Sequence, residues 1–321
     1  MTVHSFEPTH FHTTLGSHAP VLRIRDGDTV STWCVDAGGH DREFKPITAG
    51  GNPQTGPFYI EGAEPGDTLA VHFDRMWPNR TVGFTGKLVA PWVVDPAFVS
   101  ELPYEPTLGP RPSPPDERHV DLWELDLERG VCRLQTPRPG LEALQELRIE
   151  PMLGCFGVAP PRGQAISTAT AGTYGGNMDY RGFTQGVTAY FPVFVEGALL
   201  HFGDGHAVQG DGEIVGNGIE ISFDVTFTVQ LLKGKTANWP RGENADSIFA
   251  VGNARPLDQC VQHATTEMVR WLQEDYGLDA RGAHLLLGQC ARYHLGNIYD
   301  PAYTAVCRLA KHHLSNTRTR G

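Results

Sequence analysis

The residues best placed for chemistry lie in one glycine-rich segment, residues 202–213. Two Gly-Asp-Gly triplets stand seven residues apart in it, with His206 between them and Glu213 directly after them. Glycine lets a backbone bend sharply and approach a ligand closely, and carboxylates with an imidazole are common ligands of divalent cations. The pattern therefore predicts a metal site that uses Asp204 and His206. The alternative is a surface hairpin in which Gly-Asp forms ordinary turns.

Apolar strand-like sequence must position this segment, because residues 188–195 before it and 219–229 after it are rich in β-branched and aromatic residues. A second glycine-rich loop, residues 171–179, precedes both. Paired glycines can direct consecutive backbone N–H groups at one anionic atom, and a following carboxylate can reach a cation. This loop contains Gly175, Gly176, Asn177 and Asp179. Gly-Gly-Asn is also an ordinary turn sequence.

Two further ligand candidates come from predicted strands near the N-terminus. Asp36 follows a predicted strand over residues 29–35 and precedes two nearby glycines, where a turn-forming role is the simpler interpretation. In residues 69–73 the apolar side chains alternate inward, which places His72 on the opposite face of its strand and makes it a weaker candidate.

The whole composition predicts many short strands and tight turns. The 37 glycines and 24 prolines are spread along the 321 residues rather than gathered in a linker. Near the C-terminus, an apolar stripe predicts a helix over residues 256–276 ended by Gly277, a second helix capped by Asp279 and running to Cys290, and a strand over 303–309. We therefore predict a mainly β (α+β) fold, with sandwich-like or barrel-like strands and a smaller C-terminal helical part. The expected division is a mainly β catalytic region, 1–250, and an α/β part, 251–321, packed on it.

Charge and hydropathy exclude several classes of partner. The net charge of −11 with no basic stripe argues against nucleic acid and anionic membranes. No apolar run has transmembrane length and no signal-peptide pattern is present, so the cytoplasm is the expected location. Six scattered cysteines suit neither a disulfide framework nor a structural zinc site. Residues 77–118, which contain nine prolines, predict a lid, a long excursion or an oligomer arm.

Taken together, these loops resemble the acetamidase/formamidase family of amide hydrolases. The resemblance rests on five motifs in the same order and spacing: residues 52–57, 61–67, 154–160, 175–179 and 203–213. It extends over roughly residues 20–310. It implies a mainly β, homo-oligomeric protein, a homodimer or larger, that binds a divalent metal and hydrolyses short aliphatic amides to the acid and ammonia. Where the resemblance predicts a histidine before Gly175, this chain has Tyr174, a phenol that is a poor ligand and base at neutral pH.

On this interpretation, a divalent cation activates water and polarises the amide carbonyl, while a carboxylate transfers the water proton to the departing nitrogen. Zinc is the first expectation, with calcium, manganese or iron as alternatives. We expect Glu213 to be the general base, with Asp211 as the open alternative, and Asn177 with the two glycine amides to contact the oxyanion or substrate. Tyr174 and Gln209 are expected to bind substrate. The candidate metal ligands are Asp36, Asp179, Asp204, His206 and, as the weaker one, His72.

Three alternatives stay open. Cys155 could be a nucleophile, although no paired base is visible and an inert buried thiol is the simpler interpretation. The chain could be a metal-stabilised binding protein without turnover, which Tyr174 favours. The 77–118 region could also shape a pocket for an amide larger than acetamide.

Overall fold

The computed structural model describes residues 1–86, 88–102 and 120–314, and this part of the chain is organised mainly as β-strands. Short runs of branched and aromatic residues form them, as suits a pleated and half-buried surface. In chain order the described strands are β1 (Val3–Ser5), β2 (Thr14–Leu15), β3 (Leu22–Ile24), β4 (Thr29–Cys34), β5 (Thr55–Ile60), β6 (Thr68–Pro78), β7 (Val82–Thr85), β8 (Asp121–Asp126), β9 (Val131–Leu134), β10 (Leu147–Arg148), β11 (Met152–Gly157), β12 (Ile166–Ser167), β13 (Ala171–Gly172), β14 (Gly175–Asn177), β15 (Thr188–Pro192), β16 (Leu200–His206), β17 (Phe223–Leu232), β18 (Arg241–Glu243), β19 (Ser247–Ala254), β20 (Arg292–Asn297) and β21 (Tyr303–Ala310). The α-helices are α1 (Leu257–Tyr276) and α2 (Ala280–Cys290).

Two large sheets carry the fold. One has nine strands in the order β1-β4-β17-β6-β15-β18-β19-β21-β20, and the other has six in the order β13-β14-β11-β16-β5-β3. A four-stranded sheet, β10-β9-β8-β7, and the pair β12-β2 complete the described strands. Neighbouring strands are often distant in sequence, so the sheets bring separate motifs together.

Strand β17 shows how the two large sheets are joined. Its alternate residues are buried: Phe223, Val225, Phe227 and Val229. The Phe227 ring lies 5.2 Å from that of Phe58 on β5 and 5.5 Å from that of Phe202 on β16, measured between centroids. Burying one such side chain stabilises a fold by roughly 1.5–3 kcal/mol. This aromatic layer therefore fixes β16, the strand that carries the Gly-Asp-Gly-His sequence.

The C-terminal part confirms the predicted elements. The face of α1 that contains Ala264, Met268 and Leu272 is buried against the nine-stranded sheet. Gly277 ends this helix in the left-handed conformation, and the Asp279 side chain caps α2 by accepting a hydrogen bond from the Gly282 N–H at 2.7 Å. The prediction of a mainly β chain with a smaller C-terminal helical part is confirmed. Among the described residues, no helix is long and apolar enough to span a bilayer.

The proposed division near residue 250 falls inside β19, which pairs with β21 over its whole length. The nine-stranded sheet thus runs continuously from N-terminal to C-terminal strands. The two-region division stays a prediction.

The proline-rich region 77–118 is described only in part, because residue 87 and residues 103–118 lie outside the described residues. Strand β7 pairs with β8, and Pro96–Glu101 form a short 3-10 helix. The Ala90 N–H donates to the Ile214 carbonyl at 3.3 Å, and the Trp92 indole donates to the Tyr299 carbonyl at 2.8 Å. Residues 90–92 therefore lie against the loops around residues 214 and 299.

Candidate functional site

The polar ends of β14 and β16 meet on the six-stranded sheet, since β11 pairs with both strands. Asp204 and His206 lie at the end of β16, and Asp179 follows the end of β14 by two residues. Each offers one ligand atom, and the three atoms lie within 4.8 Å of one another. The structure thus brings together three of the five metal ligands predicted from the sequence.

Gly154 on β11 makes room for this convergence. Its neighbours pair with Gly205 and Gly203, so Gly154 stands opposite Asp204 in the ladder. A Cβ atom at this position would collide with Oδ1 of Asp179 and lie 2.5 Å from Oδ2 of Asp204. Only glycine leaves the space in which the two carboxylates approach each other.

Four non-glycine residues around the site have left-handed backbones. The φ angles are 63° at Asn52, 45° at Asp179, 62° at Asp204 and 44° at Glu213. Such conformations cost about 1–3 kcal/mol each and persist where the surroundings enforce them, often at functional sites. Here they occur at Asp204 within β16 and at three loop residues whose polar side chains border the same cluster.

Three more carboxylates complete the cluster: Glu213, Glu220 and Asp300. Glu213 and Glu220 form a second close group with His206, and Glu213 and Asp300 form a third with Asp179. The site thus contains five carboxylates around one imidazole, and all but the half-buried Asp300 are buried. Sequence reasoning missed Glu220 and Asp300. The available signal for Glu220 was a carboxylate inside an apolar run.

Gln209 orients the imidazole. Nδ1 of His206 lies 2.8 Å from Oε1 of Gln209, whose amide nitrogen donates to the Asp179 carbonyl at 2.5 Å. Because the glutamine oxygen can only accept, Nδ1 carries the proton in this bond. Nε2 therefore faces Oε1 of Glu220 at 3.1 Å and Oδ1 of Asp204 at 3.3 Å.

The charges around the His206 imidazole favour a positive charge there. Burial alone would lower the pKa of His206, but the Glu220 and Asp204 carboxylates outweigh it and raise that pKa well above its usual value. Burial, and then the neighbouring carboxylates, raise the pKa values of Asp179 and Glu213 well above the usual range. A cation among these groups would offset the repulsion between the carboxylates.

The donor atoms fit a divalent cation. Among the described residues, the buried atoms Asp179 Oδ1, His206 Nε2 and Glu220 Oε2 have no hydrogen bond of acceptable geometry. Buried polar atoms are normally paired, so a converging set of unpaired ones calls for a partner. Mixed carboxylate and imidazole ligands suit zinc, manganese or iron. Asp179, Asp204 and His206 would hold such an ion, with Glu220 beside it.

A chain of side-chain amides borders the carboxylates. The Asn52 amide nitrogen lies 3.1 Å from Oδ2 of Asp204 and 2.7 Å from the side-chain oxygen of Asn177. The Asn177 amide in turn donates to Oδ2 of Asp300 at 2.6 Å. Asn177, predicted to contact substrate, thus lies at the half-buried side of the cluster with its amide directed at Asp300. The Asn52 side chain is a site residue that sequence reasoning passed over.

Asp36 and His72 do not join the cluster. The buried Asp36 carboxylate pairs with the Arg80 guanidinium at 2.6 Å and accepts bonds from the backbone N–H and ring of His40. The oxygens of this side chain are therefore already bound. His72 is half-exposed on β6 and contacts the Thr188 hydroxyl at 3.0 Å. It follows the predicted strand alternation, which directs it away from the core.

Asp211 also lies outside the cluster: 61% of its side chain is exposed, and its Oδ1 lies 3.7 Å from Nε of Arg181.

Gly175 and Gly176 are buried in β14, and both have positive φ. A Cβ on Gly175 would lie 2.5 Å from the Phe156 carbonyl, so close strand packing already requires glycine there. Burial raises the pKa of the nearby Tyr174 above its ordinary value, and the phenol is therefore protonated.

Cys155 does not have the surroundings of a nucleophile. Its thiol is buried, lies 3.6 Å from the Thr168 carbonyl, and has a pKa raised well above normal, first by burial and then by Asp204 and Asp179. A thiolate is therefore disfavoured.

Two surface cavities, of about 590 and 480 Å³, are lined by residues outside the carboxylate cluster.

Comparisons with known proteins identify relatives of this chain. A family model described as the Acetamidase/Formamidase family matches residues 158–275, which include Asp179, Asp204, His206 and Glu213. Over 84 residues the chain is 44% identical to an acetamidase of Mycolicibacterium smegmatis. That match covers 26% of this chain and spans 20% of the length of that curated relative.

Solved structures match over nearly the whole chain. An acetamidase from Yersinia enterocolitica is 31% identical, with a TM-score of 0.79, and the match covers 98% of this chain and 93% of that one. An acetamidase from Bacillus halodurans is 28% identical, with a TM-score of 0.78 and coverage of 96% and 98%. Both sheets and the C-terminal helices therefore fall within the matched region.

Proposed function

Because this chain belongs to the acetamidase/formamidase family, we propose that it hydrolyses the C–N bond of a small linear amide and releases ammonia and a carboxylic acid. The observation that carries the proposal is the buried convergence of Asp179, Asp204 and His206, whose ligand atoms lie within 4.8 Å of one another. A resonance-stabilised amide needs both a strong nucleophile and stabilisation of charge on its oxygen. A group of this composition is suited to holding the ion that supplies both.

We assign the ion to Asp179, Asp204 and His206, with zinc as the first expectation and calcium, manganese or iron as alternatives. When bound, a divalent cation lowers the pKa of water towards ~7 and polarises a carbonyl. Gln209 holds the proton on Nδ1 of His206, which leaves Nε2 as the ligand atom. Gly154 leaves room for the two aspartates to face the same point.

Glu213 is the proposed general base. It is buried within the cluster and forms close groups with His206 and with Asp179, two of the proposed ligands, so it lies next to the proposed position of the ion. It takes the proton of the attacking water and delivers it to the departing nitrogen. The exposed Asp211 is not assigned this role, because its side chain points to solvent beside Arg181.

The substrate is proposed to enter beside Asp300, the half-buried carboxylate of the cluster. Asn177 lies next to it and can contact the amide group of the substrate, whereas Gly175 and Gly176 lie in a strand that is paired on both sides. Tyr174 is a neutral hydrogen-bonding group here rather than a ligand. Because Tyr174 lies in the loop that ends in Asp179, its phenol is a candidate for determining which amides are bound as substrates.

The experiment is ammonia release from formamide, acetamide and longer primary amides, before and after treatment with a chelator and after restoration with zinc. The proposal predicts ammonia from at least one amide, its loss on chelation, and its return with metal. A protein that binds the ion but releases ammonia from no amide would instead be a binding protein of the same fold. If ammonia release continued at the same rate after chelation, hydrolysis would not depend on a metal.

A further inference from the structure

We infer that Asn297 is a positioning residue that fixes the general base, one metal ligand and the entry-side carboxylate relative to one another. This inference rests on the proposed function for its catalytic consequence. The residue itself is fully buried at the end of β20. None of the sequence motifs singled it out.

One amide nitrogen reaches three carboxylates. Nδ2 of Asn297 lies 2.6 Å from Oδ2 of Asp179, 2.7 Å from Oδ2 of Asp300 and 3.1 Å from Oε2 of Glu213. These carboxylates come from three separate parts of the chain: the end of β14, the turn after β20 and the loop after β16. The amide nitrogen of Asn297 therefore connects these three segments of the chain.

The orientation of this amide is determined by its other end. Oδ1 of Asn297 accepts the backbone N–H groups of Tyr299 at 2.7 Å and Asp300 at 2.9 Å. Because a backbone N–H can only donate, the oxygen must face the turn and the nitrogen must face the carboxylates. The turn thus holds the donor in place, and the donor holds Asp300 of the same turn against Asp179.

The neutrality of the amide matters as much as its position. An arginine or lysine could also gather three carboxylates, but its positive charge would compete with the cation for them. An amide supplies two N–H groups and no net charge, so it orders the carboxylates and leaves their attraction for a cation intact.

The decisive variant is Asn297→Asp. It is nearly the same shape, and one carboxylate oxygen can still accept the Tyr299 and Asp300 N–H groups, so the turn is kept while the two N–H donors are replaced by a carboxyl group that faces Asp179, Asp300 and Glu213. Replacing a hydrogen-bond partner of a metal ligand typically lowers metal affinity or activity by about 10–100-fold. We expect a fall in kcat of that size with a small change in KM, together with a shifted visible absorption spectrum of the cobalt-loaded protein.

A second pair of variants protects the test against misfolding. Asn297→Ala removes the amide altogether, and Asn253→Ala is its matched control, because Asn253 is equally buried but bonds the Gly172 carbonyl and the Thr304 hydroxyl. If Asn297 acts by positioning, Asn297→Ala weakens cobalt binding about 10-fold or more and Asn253→Ala does not. Equal cobalt affinities, or an Asn297→Asp protein with the wild-type cobalt spectrum and kcat, would overturn the inference.

The cobalt measurements separate this inference from the proposed function. If the wild-type protein releases no ammonia from any amide, the amidase proposal fails. The spectra and affinities of the Asn297 variants still decide whether this amide arranges the ligands.

Discussion

Nδ1 of His206 and Oε1 of Gln209 lie 2.8 Å apart in the buried interior, and this bond turns the opposite ring nitrogen towards Asp204 and Glu220. Gln209 was expected to bind substrate, whereas the structure directs both ends of its amide to the protein itself. Its nitrogen donates to the Asp179 carbonyl, so one side chain connects two of the proposed ligands.

The first prediction concerns this glutamine. Gln209→Met removes both bonds at nearly constant volume and frees the imidazole to adopt the other tautomer. We expect metal affinity to fall by about 10–100-fold, as for other hydrogen-bond partners of ligating histidines. Competition with a chelator measures the affinity, and nitrogen NMR of His206 reports the tautomer. Wild-type values in both would show that Gln209 does not orient the ring.

A second prediction uses the glycine opposite Asp204. Gly154→Ala places a methyl group against the Asp179 and Asp204 carboxylates, and overpacking of this kind typically lowers the free energy of unfolding by about 1–3 kcal/mol. The ligands must also move apart, so metal binding should weaken. Gly210→Ala is the matched control, because a Cβ there meets no heavy atom within 4 Å. Urea unfolding and metal titration of both variants check the prediction, and equal behaviour would contradict it.

The third prediction separates a structural aspartate from a ligand. Asp36→Asn leaves the Arg80 guanidinium buried without its charged partner, and breaking a buried ion pair typically lowers stability by about 3–5 kcal/mol. The metal content of the folded protein should not change, because Asp36 lies outside the carboxylate cluster. A folded Asp36→Asn protein that has lost its metal would restore Asp36 as a ligand.

The same residue predicts a pH dependence. Burial opposes ionisation of Asp36, but His40 and Arg80 outweigh it and hold the pKa of this carboxyl below its usual value. A lowered pKa contributes stability that is complete above the unfolded value of about 3.9 and is lost as the pH falls through the folded value. The stability difference between wild type and Asp36→Asn should therefore be undiminished from neutral pH down to about pH 4 and shrink as the pH falls further. Unfolding free energies measured from pH 7 to pH 3 test this, and a difference that grows in acid would contradict it.

The fourth prediction distinguishes the two carboxylates that follow the second Gly-Asp-Gly triplet. Glu213→Gln should keep its bound metal and lose about 100-fold or more in kcat, the usual contribution of a general base. Asp211→Asn should stay within threefold of wild type, since its side chain is exposed beside Arg181. Initial rates of ammonia release and metal analysis of both proteins are the measurements. A Glu213→Gln protein with full turnover would reject the role of Glu213.

Patterns among neighbouring residues in the sequence predicted much of the fold. The apolar stripe over 256–276, the glycine after it and the capping aspartate at 279 correspond closely to α1, Gly277 and Asp279. These features depend on neighbouring residues alone. Strand alternation likewise placed His72 on the half-exposed face of β6.

The sequence predicted only some of the residues that meet in the cluster, for a physical reason. Asp204 and His206 share one short motif, the glycines on both sides of Asp204 indicated an unusual backbone, and Gly175 and Gly176 lie only a few residues before Asp179. Asn297 and Asp300 come instead from the end of β20 and the turn after it, and β20 is the edge strand of a sheet assembled from distant segments. Asp36 pairs with Arg80 outside the cluster, and an aspartate at a strand end looks the same in the sequence whether its partner is a cation or a buried arginine.

The most direct measurement is a titration of metal-free protein with zinc, in which bound metal and the rate of ammonia release are followed together. If the buried cluster holds the ion that drives amide hydrolysis, the rate rises in proportion to occupancy and saturates with it, while Asp204→Asn neither binds tightly nor turns over. Full turnover by metal-free protein, or an Asp204→Asn variant that matches wild type in both measurements, would contradict the account.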